Sequence, residues 1–166
     1  MPPSTNKRVI VYRFHRQPLA GIVNPADYLR ESHLEMITND GKLETLPYQE
    51  VKAVCFVAEE GKANLFSESP VFERRPRLAG IWARFTFSDG DRLDGILPHS
   101  LLDWPEQGYS ITPPRAGPGR QRVFLPRAAL SSAQLLGVVG ATAKVQMQIK
   151  KGPARPDVNQ INMFDF

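Results

Sequence analysis

The side chains able to do chemistry are few and scattered. His15 sits in a turn, His33 ahead of a strand and His99 beside a proline. None has a cysteine, histidine or acid at metal-ligand spacing, so structural or solvated roles are expected and no metal. Asp89 and Asp91 flank Gly90, where solvated turn-forming carboxylates are expected. General acid–base work would need one of them desolvated. Cys55 lies in the apolar run AVCFV and reads as a buried, inert thiol. GPGRQ at 117–121 is glycine-rich, but no helix pattern follows to complete a phosphate nest. No nucleophile elbow, Walker loop or dinucleotide fingerprint occurs. The expectation is a protein without catalytic residues or cofactor, one that binds and does not transform.

Binding chemistry points to the C-terminal third. Residues 1–110 carry 13 Lys/Arg against 15 Asp/Glu, and residues 111–166 carry 8 against 2. Arg115, Arg120, Arg122, Arg127, Lys150 and Lys151 are therefore the candidate phosphate contacts, with a solvated basic face as the alternative. No aromatic residue accompanies the basic stretch PPRAGPGRQR to stack a base.

The elements that must position these groups are strands. Fifteen prolines spread along 166 residues argue against long helices. Two stretches share one plan: VIVYRFHRQPLAGIVNP (9–25) and IWARFTFSDGDRLDGILPH (81–99). Each runs strand, turn, then a strand with an internal glycine, Gly21 or Gly95, read as a bend or bulge. Ile10, Tyr12 and Phe14 alternate in the first unit, Phe85 and Phe87 in the second. Asn39-Asp-Gly41-Lys42 and Ser88-Asp-Gly90-Asp91 are turn signals. Each unit ends in a Leu-Pro piece, LPYQEVKAVCFV (46–57) and LPRAALSSAQLLGV (125–138), suited to one tight turn and a last strand. An internal repeat of about five short strands is the simplest account. Each half alone is small for a stable core, so the halves should pack together or pair sheet edges.

The expected organisation is a disordered N-terminus (1–7), one small barrel (8–60), a connecting segment (61–78), a second barrel with an added strand at Val145, Met147 and Ile149 (79–150), and an extended tail (151–166). Leu65, Phe66, Val71 and Phe72 should lay the connecting segment across a barrel face. There is no run of 18 apolar residues to span a membrane and no apolar core behind MPPSTNKR to make a signal peptide, so a cytoplasmic, reducing setting is expected.

These patterns resemble the Sm/LSm family of small bent five-stranded barrels. The whole is similar to an uncharacterised bacterial family with tandem Sm-like units. The resemblance covers roughly residues 8–58 and 79–140. It implies RNA contact through two loops, but the asparagine expected after the Asp89-Gly90 turn is not evident. Separately, Gln160-Ile-Asn-Met163-Phe164 resembles the peptide with which bacterial polymerases and repair proteins dock on the DNA sliding clamp. The resemblance implies a hydrogen bond from Gln160 at the cleft rim, Met163 and Phe164 in an apolar pocket, and added contact from Phe166. The alternative is that these apolar residues fold back onto a barrel face. The functional expectation is a clamp-docking adaptor. The alternatives are an RNA- or single-strand-binding module and a protein-interaction scaffold.

Overall fold

The structure, a computed structural model, describes residues 5–58, 65–66, 70–114 and 122–140. Strands dominate. The first five are β1 (Lys7–Arg13), β2 (Arg16–Val23), β3 (His33–Thr38), β4 (Leu43–Pro47) and β5 (Val51–Phe56). The next five are β6 (Gly80–Phe87), β7 (Arg92–Leu97), β8 (Gly108–Ile111), β9 (Val123–Pro126) and β10 (Leu130–Val139). All ladders are antiparallel. The expected turns are present. Gly41 and Gly90 take φ values of 83° and 92°, and one short 3-10 turn follows each Leu-Pro, at Tyr48–Glu50 and Arg127–Ala129.

Both halves are wired alike. β1 lies between β2 and β5, and β6 lies between β7 and β10. Register makes the correspondence residue-specific. Val9 faces Gly21 as Ala83 faces Gly95, Ile10 faces Ala20 as Arg84 faces Asp94, and Arg8 faces Ile22 as Trp82 faces Ile96. The strands do not close into barrels. They form a seven-stranded sheet, β4-β3-β2-β1-β5-β9-β8, and a three-stranded sheet, β10-β6-β7. The split falls between β7 and β8, where an isolated bridge, Ile96–Thr112, stands in place of a ladder. The equivalent β2–β3 seam holds just two residue pairs. Each seam lies at a bent, glycine-bearing strand. A Cβ on Gly21 would collide with the Ile37 carbonyl and the Met36 side chain, and one on Gly95 with Ile111. These glycines permit close approach and need no unusual φ.

The halves join by edge pairing of β5 with β9, Val54 opposite Phe124 and Cys55 opposite Val123. Two cores lie on opposite faces of this ladder. Val9, Val11, Leu34, Met36, Val51, Val54 and Phe124 belong to the first, and Ala53, Cys55, Phe85, Phe87, Val123 and Leu125 to the second. Both faces of the alternating strand β1 are used. Val9 and Val11 fill the first core, while Tyr12 and Phe14 cover the second. The connecting segment packs as expected. Phe66 meets Tyr12 and Phe87 edge-to-face at 5.5 and 5.2 Å, and Phe72 meets Trp82 at 6.2 Å. The added strand at 145–149 lies outside the described residues.

Because Phe124 belongs to one half and is buried in the core of the other, Phe124→Ala should cost about 3–5 kcal/mol. Urea unfolding followed by circular dichroism and by tryptophan fluorescence should remain one coincident transition. Two separated transitions would show that the halves are not thermodynamically joined.

Candidate functional site

Two groups of polar side chains converge, and in both the chemistry goes into holding the fold. Asp94 is fully buried. Its carboxylate accepts from Arg84 Nε at 2.7 Å and Nη2 at 3.1 Å, Trp82 Nε1 at 3.2 Å and the Phe72 amide at 3.0 Å. Its own amide donates to the Pro70 carbonyl at 2.8 Å. These charge-assisted bonds satisfy a carboxylate that burial would otherwise leave without partners. The hydrogen bond to Asp94 raises the Arg84 pKa further. The assembly clamps the connecting segment, Pro70 to Phe72, against the outer face of β6 and β7.

The second group corrects the expectation that Asp89 and Asp91 are merely solvated turn formers. Lys52 on β5 is 7% exposed and reaches across to the β6–β7 turn. Its ammonium donates to Asp89 at 2.6 Å and also to Asp91. It stands 4.2 Å from the Phe66 ring centroid, with Phe87 and Phe14 at 5.3 and 5.8 Å. Partial burial pushes the Asp89 pKa up, but hydrogen bonds from Lys52 and the Asp91 amide, with the Lys52 charge, bring it below its ordinary 3.8. Cys55 is buried as expected, its pKa pushed up to about 11 by desolvation. His33 lies 3.4 Å from Glu35. Among the described residues no three His, Cys, Asp or Glu side chains gather as metal ligands.

Among the described residues, two of the open concave surfaces border the start of β1. The first is a cleft of about 530 Å³ at the junction of the halves. Lys7, Arg8, Tyr28 and Phe56 line it from the first half, and Asp103, Arg122 and Phe124 from the second. Tyr28 meets Phe56 and Phe124 edge-to-face at 5.8 and 6.3 Å. The second is a groove of about 730 Å³ on the outer face of β1, β2 and β3, lined by Arg8, Ile10, Ala20, Ile22 and Ile37 among others.

Of the basic residues singled out in sequence, Arg122 lines the junction cleft, whereas Arg127 lies against the Tyr109 ring at 5.7 Å. Arg115, Arg120, Lys150, Lys151, Gln160, Met163, Phe164 and Phe166 lie outside the described residues. Sequence reasoning missed Lys7, Arg8 and Phe56, because only the β5–β9 pairing brings them beside Arg122. The Lys7-Arg8 pair directly ahead of the VIVY strand was the available signal.

The sign of the Asp89 contribution follows from its lowered folded-state pKa. The stabilisation is complete above the unfolded value near 3.8 and is lost as pH falls through the folded value. Asp89→Asn should therefore flatten the fall in Tm between about pH 5 and pH 2 relative to the parent chain. Parallel Tm-against-pH curves would show that the Lys52 contact contributes nothing to folding.

Among the described residues no helix is long and apolar enough to cross a membrane. No curated protein and no solved structure matches the chain. A family of unknown function, DUF6982, matches residues 5–137, a span that takes in nine of the ten strands and most of β10. Over that span, which holds both halves and the ladder joining them, the chain belongs to the DUF6982 family.

Proposed function

We propose that the chain is a non-enzymatic, cytoplasmic adaptor: a rigid pair of Sm-like units carrying a C-terminal peptide for docking on a DNA sliding clamp in replication or repair. The observation that carries the reading is the spacing Gln160, Met163, Phe164 behind the proline- and glycine-bearing stretch GPARPDVN. A short extended peptide with two apolar anchors suits a preformed groove, because a few buried side chains supply most of the binding energy. The Sm-like assignment is supported by the shared order of strand pairing in both halves. The non-enzymatic assignment is supported by the use of Asp94, Arg84, Lys52 and Asp89 as structural bonds.

A labelled peptide covering residues 157–166, titrated with a bacterial clamp, should bind with Kd near about 1 μM, or roughly −8 kcal/mol. Gln160→Ala and Phe164→Ala should each weaken it about tenfold or more. Equal weak binding by all three peptides would remove the idea.

The junction cleft favours a second reading, contact with single-stranded nucleic acid. Lys7, Arg8 and Arg122 offer cations beside the half-buried Phe56 ring. On this reading Arg122→Ala lowers oligonucleotide affinity about five- to tenfold in fluorescence anisotropy, with a steep dependence on salt. A flat salt response or an unchanged affinity would reject it.

A further inference from the structure

The ladder that joins the halves pairs two strands that hold different places in the repeat. Register aligns β10 with β5. Ala133 stands opposite Phe85 as Val54 stands opposite Val11, and Gln134 opposite Arg84 as Cys55 opposite Ile10. Register also aligns β9 with β4. Leu125 stands opposite Tyr109 as Leu46 stands opposite Leu34, and a proline follows each of those two leucines. The β5–β9 ladder therefore joins the last strand of one half to the fourth strand of the other. The complementary pair of edges occurs once more in the molecule. β4 ends the seven-stranded sheet and β10 ends the three-stranded one, with no further strand on either among the described residues.

Exposed leucines mark both edges. At the internal junction the Phe56 amide donates to the Arg122 carbonyl at 2.8 Å. Tyr28, the fifth residue after β2, packs there against Phe56 and Phe124. The counterpart of Phe56 on β10 is Leu135, and that of Arg122 is Leu43 at the start of β4; each is 66% exposed. The fifth residue after β7 is Leu102, which is 97% exposed. Three leucines thus stand in water at the positions that a repeat of the junction would bring together. We propose that β10 of one copy pairs antiparallel with β4 of a second copy of this chain, repeating the β5–β9 junction between molecules.

A second copy is the occupant because the chain already shows this pairing within itself and carries both halves of it again. An edge strand offers a row of backbone donors and acceptors to a strand of matching register. The repeated register sets Ala133 opposite Thr45 and Gln134 opposite Glu44, where the internal junction has Val54 opposite Phe124 and Cys55 opposite Val123. No like charges face each other in these pairs. The side chains are smaller and more polar than their counterparts, so the contact between molecules is weaker than the one within a chain and concentration governs it. Leu135 and Leu43 supply its apolar part. The contact is heterologous: a copy that engages its β10 still offers its β4, so assembly does not stop at two. The proposal is independent of the adaptor reading and of the junction cleft.

The test is sedimentation of the full-length chain. Its weight-average mass should rise about twofold or more over a roughly hundredfold rise in concentration. Leu135→Lys blocks β10 and Leu43→Lys blocks β4. Both positions are exposed, and an unchanged Tm checks that each variant folds. Each variant alone should stay monomeric over the same range. Their equimolar mixture should form a dimer and nothing larger, because one variant keeps β4 and the other keeps β10. In the parent chain the Leu135 amide, counterpart of the bonded Phe56 amide, should gain protection from hydrogen exchange as concentration rises. A parent that stays monomeric overturns the proposal, the result expected if another segment of the chain lies along β10. Association of either variant by itself also overturns it, since the contact would then join like edges or use another surface. So does a mixture that fails to dimerise, or a Leu135 amide whose exchange ignores concentration.

Discussion

The ladder between β5 and β9 is the constraint on which the rest of the structure depends. A strand at the edge of a small sheet ordinarily buries one face and shows the other to water. β5 buries both, because the second half lays β9 along its edge and a second core on its far face. Its sequence records this. Val51, Ala53, Val54 and Cys55 are all inaccessible, and Lys52 is the single charged residue of the strand. Each pair across the ladder sends its side chains to one core, Val54 with Phe124 and Cys55 with Val123. Neither core is complete without a residue from the other half. The two halves therefore share two interiors and do not merely touch.

The counterpart of β5 lies in a different environment. β10 pairs with β6 as β5 pairs with β1, so that Gln134 stands opposite Arg84 where Cys55 stands opposite Ile10. Ser131, Ser132, Ala133 and Gln134 are exposed where Lys52 to Cys55 are buried. Ser131, Ser132 and Gln134 thus fall at positions whose counterparts in β5 are buried, and Leu135 and Val138 are exposed beside them. The outer faces diverge in the opposite sense. Asp94 and Arg84 make a buried ion pair that binds the connecting segment, whereas Ala20 and Ile10 leave an apolar surface open. The halves differ where their neighbours differ, while Gly21 and Gly95 both stand where a Cβ would collide with a neighbouring strand.

Much of this was legible in the sequence. The all-β class, the turns at Gly41 and Gly90, the Leu-Pro turns before β5 and β10 and the packing of Phe66 and Phe72 follow from local pattern, and the structure contains them. The phase of β1 did not follow. Val9, Ile10, Val11 and Tyr12 are all apolar, and a strand that serves two cores has no polar face to set its phase. The roles of Lys52, Asp89 and Asp91 were hidden for a related reason. An Asp-Gly-Asp turn looks solvated until a lysine 37 residues away in sequence is carried to it by strand pairing. Of the two candidate phosphate contacts among the described residues, Arg122 and not Arg127 lines the junction cleft, and its basic companions there come from the far end of the chain.

The Lys52 contact also resolves a mechanical difficulty. The β5–β9 ladder contains just two residue pairs, and so short a ladder fixes the register between the halves more firmly than their relative rotation. A second anchor away from the ladder is needed to make the assembly rigid. An apolar residue at position 52 would fill space near Phe66 and Phe87 without preferring one orientation. An ammonium directed at two carboxylates beyond those rings prefers one, since a small rotation removes bonds that buried charge cannot exchange for water. Desolvation makes such a contact a modest source of net stability and a strong source of specificity. The connecting segment closes the same corner, with Phe66 over Lys52 and edge-on to both Tyr12 and Phe87. Register from the ladder and angle from the charge together hold the cleft and the groove in fixed relation.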